Sequence, residues 1–241
     1  MHRRVTITIT ESITMDKKKL YALYQINGGT FPTGGFSQSW GLETYVAEGE
    51  IDDADAFNEF LHTYILHCTG MCEGPIILRA YELAEPLQVG ELRELEQLSN
   101  ASRVTRESRE AGLRMGKAFF RIMAPILEDS RLDEIEEIFT GKDVSYPVIY
   151  GIVCRLLDIE AEEALRAYVY SAASTLVQSA VKLVPLGNTE AQEVLFRAAD
   201  VMEKAVELAA ETPIDEITNF CPGTDIAGLR HESLPVRLYM S

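Results

Sequence analysis

The sequence predicts an all-α protein, one globular helical domain of about eight to ten helices. Three observations carry that prediction. Apolar residues recur at i, i+3, i+4 and i+7 over most of the chain, the rhythm of helices with one buried stripe. Glycine and proline stand at the ends of these stretches, where helices stop. No long linker interrupts them, so no second domain is expected.

The elements follow in order. Residues 1–19 read as a flexible arm. The alternation in "MHRRVTITITESITM" is a lone strand pattern with nothing to pair against. The helical domain is expected over residues 20–218. After the uncharged stretch that begins it, a helix starts near Asp52 and Asp53. Its stripe is Phe57, Phe60, Leu61, Tyr64, Ile65, Cys68, Met71 and Cys72, and Gly74-Pro75 reads as a break. A short helical stretch spans 76–83. Residues 88–123 form one long helix, or two joined near Ser99-Asn100, with Val104, Ala111, Met115, Phe119 and Ile122 inward. Ser108, Gly112 and Gly116 lie four apart on one side. Each glycine there costs about 1 kcal/mol against alanine, so another backbone is expected close by, from this chain or from a second subunit.

Pro147 suits the first turn of the next helix. From Ala161 a further helix runs through residues 167–181 without a charge, and it is expected to be the most buried. Thr189-Glu190-Ala191-Gln192 has a capping-box pattern and opens a helix with Leu195, Ala198, Met202, Ala205 and Ala209 inward. Residues 219–241 hold two prolines, two glycines and no helical period, so they read as a tail rather than a packed element.

Composition excludes several classes. The net charge of -16 argues against nucleic acid, which needs clustered Lys and Arg, and against anionic membrane surfaces. No apolar run reaches the ~18 residues of a spanning helix. Four cysteines and no apolar leader point to a reduced, cytoplasmic chain.

Motif tests for chemistry fail one by one. Gly29 and Gly34 have P-loop spacing, but Gly35 and Phe36 stand where Lys and Ser or Thr are needed. Glu59 and His62 have the Glu-x-x-His spacing of di-iron bundles, yet no second such pair exists. Gly35-Phe36-Ser37-Gln38-Ser39 lacks the closing glycine of a nucleophile elbow. His67, Cys68 and Cys72 are the one candidate metal cluster, although both cysteines continue the apolar stripe, as buried inert cysteines do. The expectation is no catalytic residue, no resident cofactor and no metal, with a metallochaperone built on those three residues, or a generic helical adaptor protein, as the alternative.

The stretch from Leu20 to Leu42 is the most unusual. Its 23 residues contain no Asp, Glu, Lys or Arg, where the chain average of 25% would give about six. Thr33 is a plausible N-cap for a helix from about Phe36, with Phe36 and Trp40 on one face and Gly41 inside it. Three readings stay open on the residues alone: a buried helix, an aromatic patch for a protein partner, or a small-molecule pocket.

Here the residues become recognisable. "FPTGGFSQSWGLETYV", "SNASRVTRESREAGLRMGKAFF", "YPVIYGIVCRLLDI", "LRAYVYSAASTLVQSAVKLVPLGNTEAQ" and "RHESLPVRLYMS" together resemble, in order, the UreF family of urease accessory proteins. The resemblance covers Leu20 to Ser241. Departures are small. Phe31-Pro32-Thr33-Gly34 replaces Leu-Pro-Val-Gly, Gln38 stands where Tyr is frequent, and Tyr239 replaces the usual Phe. The arm before Met15 has no counterpart.

The resemblance implies a dimer-forming, non-enzymatic scaffold. It would bind a UreD/UreH-type accessory protein and a UreG-type GTPase, regulate that GTPase, and help deliver nickel to apo-urease. Three groups of residues are expected to meet partners. The first is the turn and helix of Phe31, Pro32, Gly34, Gly35, Phe36, Ser37, Ser39, Trp40, Gly41, Leu42, Glu43 and Tyr45. The second is Arg103, Arg106 and Glu107 on the central helix, either facing the GTPase or forming a solvated salt-bridged face. The third is His231, Glu232, Arg237, Leu238 and Tyr239 in a C-terminal tail that orders on binding or stays disordered.

Overall fold

The computed structural model describes residues 16–139, 144–219 and 221–241. The arm expected over residues 1–19 therefore lies largely outside the described residues, and its last three are helical. Among the described residues twelve α-helices follow one another: α1 Lys17–Asn27, α2 Leu42–Ala47, α3 Ala54–Thr63, α4 Gly74–Leu83, α5 Val89–Ala101, α6 Arg106–Leu127, α7 Arg131–Phe139, α8 Tyr146–Leu156, α9 Ala161–Leu183, α10 Asn188–Arg197, α11 Ala199–Glu211 and α12 Pro222–His231. A π-helix, Tyr64–Glu73, joins α3 to α4 without a break, and only Ala198 separates α10 from α11. Counting each run as one gives ten helical bodies. No strand occurs among the described residues, as the sequence predicts.

The expected break at Gly74-Pro75 does not occur. The i→i+5 register of the π-helix carries the chain through, so Pro75, the second residue of α4, lies within a continuous helical rod. A Cβ on Gly74 would lie 2.4 Å from Ala209 Cβ, so that glycine is what lets α11 pack against the rod.

The centre of the core is α8, not the charge-free α9. Every residue of α8 from Tyr146 to Cys154 is buried, whereas Tyr170 on α9 is half exposed. α8 is covered on several sides, by α4, α5, α6 and α9. A helix enclosed in this way has no polar stripe to reveal it. The close approach expected at the glycine row is made by this chain itself. A Cβ on Gly116 would meet Val144 O at 1.9 Å, which brings α6 onto the start of α8.

Residues 88–123 prove to be two helices, α5 and α6. The second is capped by Thr105, whose side chain accepts from Ser108 N–H. Thr189 is not a cap, because α10 already begins at Asn188 behind Gly187. An aromatic column runs through the core: Phe31 on Phe119 at 5.3 Å, Phe119 on Tyr146 at 5.4 Å, and Tyr146 on Tyr168 at 5.6 Å.

Candidate partner-docking site

The uncharged loop does not form the expected helix from Phe36. Only Gly35–Ser37 makes a 3₁₀ turn, and α2 starts at Leu42. The reason is backbone handedness. Gly34 (φ 86°), Trp40 (φ 55°) and Gly41 (φ 90°) all adopt the left-handed region, which no α-helix contains. Gly41 N-caps α2 and passes over α12, where an added Cβ would lie 3.3 Å from Thr224 O. Thr44 Oγ1 then donates to Ala227 O at 2.9 Å, so α2 and α12 are tied together.

The C-terminal segment, read as a tail without helical period, has local structure. Residues 222–231 form α12, and residues 237–241 pack back on the loop. Met240 N–H donates to Ser37 O at 2.9 Å, and a main-chain oxygen of Ser241 accepts from Ser39 N–H (2.7 Å), Ser39 Oγ (2.6 Å) and Trp40 N–H (3.2 Å). Ser241 Oγ donates to Gln38 Oε1 at 2.7 Å. The segment bends rather than forming a strand, and burial alternates over its last four residues. Tyr239 and Ser241 point inward and are buried. Val236, Leu238 and Met240 point outward and are exposed by 77%, 70% and 51%. A two-residue period of this length lies below what a helical reading of the chain detects.

A buried ionic cluster holds the strap. His231, fully enclosed at the end of α12, places Nε2 2.9 Å from Glu43 Oε2 and Nδ1 2.6 Å from Glu107 Oε2. Glu43 also accepts from Leu238 N–H (2.6 Å) and Tyr239 N–H (3.1 Å). Glu107 takes Arg237 Nη1 at 2.8 Å. Each ring nitrogen thus faces a carboxylate oxygen from a different element. Outside this cluster, Arg106 pairs with Glu232 at 2.9 Å and Arg230 with Glu48 at 2.9 Å.

A second buried pair supports the loop from below. Arg103 binds Glu73, whose other oxygen accepts from Tyr168 OH at 3.0 Å. The Arg103 guanidinium lies 5.6 Å from the centre of the Trp40 ring, a cation–π contact. Burial opposes the charge of Arg103, and the carboxylate of Glu73 together with Tyr64, Tyr168 and Cys72 more than offsets it, so its pKa rises. Glu73 was not singled out in the sequence. The signal available was a single carboxylate inside the apolar run "HCTGMCEGPIIL".

The three groups of candidate residues therefore meet in one place. Within them, Pro32, Phe36, Arg106, Glu232, Arg237 and Leu238 are exposed. Phe31, Gly34, Gly35, Ser37, Trp40 and Tyr45 are half-buried, and Ser39, Gly41, Leu42, Glu43, Arg103, Glu107, His231 and Tyr239 are buried. Arg103 and Glu107 are thus internal residues rather than a solvated face. The alternative metal cluster does not assemble: His67 is exposed while Cys68 and Cys72 are buried. Among the described residues no three His, Cys, Asp or Glu side chains converge as metal ligands. No helix among them is long and apolar enough to cross a membrane.

Comparison with known proteins gives a consistent result. The family model described as UreF matches residues 51–199. The chain is 33% identical over 225 residues to the urease accessory protein UreF of Bacillus sp. (strain TB-90), covering 92% of this chain and 99% of that one. It is 31% identical over 222 residues to the protein of that name from Paenarthrobacter aurescens (strain TC1), covering 91% and 97%. Against that of Geobacillus kaustophilus (strain HTA426) it is 30% identical over 227 residues, covering 94% and 100%.

Proposed function

We propose, from the premise that the chain belongs to the UreF family of urease accessory proteins, that it is a non-enzymatic scaffold in urease maturation. In this reading it holds a UreD/UreH-type accessory protein and a UreG-type GTPase together, as a homodimer, in the cytoplasm. It regulates the GTPase and so the delivery of nickel to apo-urease. Nickel is cargo here, not a resident ligand.

One observation supports this reading above the others. The strap presents Val236, Leu238 and Met240 to solvent beside the exposed Phe36, while its own underside is fixed by the Glu43–His231–Glu107 cluster. Apolar anchors on a pre-ordered backbone bind at lower entropic cost than a free tail would. This rim is assigned to the UreD/UreH-type partner. Arg106 and Glu232, exposed at its edge, are the charges available to the GTPase. Arg103, Glu107, His231 and Glu43 act inside, as the residues that shape the rim.

Co-expression with UreD- and UreG-type proteins, followed by sizing chromatography with and without GTP, tests the assignment. The expected result is one species containing all three chains, whose composition changes with GTP. Separate elution of this chain under both conditions would contradict it.

A further inference from the structure

A cavity of about 80 Å³ lies between the uncharged loop and α9. The exposed Gly29 and Gln178 stand at its mouth, and Phe31, Trp40 and Met115 in its walls. Its floor is buried: Tyr64 and Glu73 of the π-helix, Arg103 ahead of α6, Tyr146 of α8 and Tyr168 of α9. Tyr64 and Tyr146 are only 6% and 9% exposed. Even so, neither hydroxyl makes a hydrogen bond among the described residues. Burial pushes both phenol pKa values up, so both groups keep the proton they can donate. Glu73, the one carboxylate of the lining, is already engaged. Its oxygens accept from Arg103 and, at 3.0 Å, from Tyr168 OH.

We infer that this cavity is a binding site for a small neutral molecule made of one aromatic ring and a carbonyl group. The chemistry of the lining selects that class. The unpaired polar groups of the floor are phenol donors, so the polar end of the ligand has to accept. Arg103 is already balanced by Glu73, so an anion would enter as an unpaired buried charge, a costly state. The walls are aromatic rings and a thioether, surfaces against which a flat ring packs well. A water needs about 10–15 Å³ of such space, so the cavity has room for about six waters, or for one ring with a short substituent. In the bound state the carbonyl oxygen accepts from the phenol hydroxyls of the floor, and the ring lies against Trp40. The site lies behind the loop assigned to partner docking, but it needs no partner chain, so its test is independent of that assignment.

Trp40 is the only tryptophan of the chain and stands in the cavity wall, so its fluorescence reads occupancy. The full-length chain is titrated with benzamide and, in parallel, with benzoate and with toluene. Expected is a saturable change with benzamide, half-complete below ~1 mM. Benzoate, which is charged, and toluene, which has no acceptor, are each expected to bind at least ~10-fold more weakly. The Tyr64→Phe, Tyr146→Phe double variant is expected to lose at least ~10-fold in benzamide affinity. Its circular dichroism is expected to match wild type, because neither hydroxyl holds another part of the chain. The comparison of the three probes in wild type needs no variant at all. A benzamide response that never saturates, as a cavity held by water alone would give, overturns the inference. So does tighter binding of benzoate than of benzamide, or unchanged benzamide affinity in the folded double variant.

Discussion

Tyr239 shows what one atom can do. Its ring is buried under the strap with Lys182 Nζ 5.7 Å from the ring centre, yet its hydroxyl has no hydrogen-bond partner among the described residues. A buried unsatisfied hydroxyl costs about 1–3 kcal/mol. Tyr239→Phe is therefore expected to stabilise the chain by roughly 1 kcal/mol, read as a higher urea midpoint at unchanged slope. His231 is the opposite case. Replacing it by alanine leaves Glu43 and Glu107 facing each other without the ring between them. Removing one partner of a buried ionic cluster costs about 3–5 kcal/mol, so His231→Ala is expected to lower stability by that order in the same measurement. Neither role was legible residue by residue. The sequence offered His231 and Tyr239 as partner contacts, because a terminal segment without helical period carries no sign of the inward side chains it will meet.

At the scale of elements, the joints between helices are glycines and one carboxylate. Gly116→Ala would drive a methyl group into Val144 O, 1.9 Å away, with Ser145 C at 2.8 Å. Backbone cannot yield as a side-chain tip does. The expected outcome is loss of more than ~3 kcal/mol, or no folded protein at all, checked by circular dichroism. Glu96 joins α5 to α8 by accepting from Ser145 N–H at 3.0 Å and Ser145 Oγ at 2.7 Å. Burial raises its pKa, against the lowering effect of those bonds. A carboxylate with a raised folded pKa holds a proton that the unfolded chain has already released. Its contribution to stability is therefore present below the unfolded pKa and declines as pH rises through the folded one. Glu96→Gln is expected to remove that decline, so the variant gains on the wild type as pH rises above the ordinary carboxylate range. Equal slopes for both would contradict this. The glycine row and Pro147 were readable in the sequence because each has a local cause. The π-helix was not, since its register depends on α11 packing along it. The left-handed turn at Trp40-Gly41 also escaped, since Trp40 carries no sequence sign of a positive φ.

For the whole molecule, the fold class was written plainly in the 3.6-residue rhythm, and the surface was not. Periodicity tells which face of a helix is buried, but it is silent on which distant loops will be stitched together. Glu43 and Glu107, 188 and 124 residues before it, meet at His231, and only the folded chain brings the three segments into one rim. This changes which experiment isolates partner binding. Deleting residues 231–241 would remove the apolar anchors and also strip Glu43 and Glu107 of their partners, so lost assembly and lost stability would arrive together. Substitutions on the outer side of the strap separate them, since Phe36 and Leu238 are 64% and 70% exposed. The direct measurement is calorimetric titration of the Phe36→Ser, Leu238→Ser double variant with the UreD/UreH-type protein, beside its thermal midpoint. An affinity reduced at least ~100-fold, as two lost anchors imply, with a midpoint within about 2 °C of wild type, is the predicted result. Undiminished affinity in that folded variant would contradict the account.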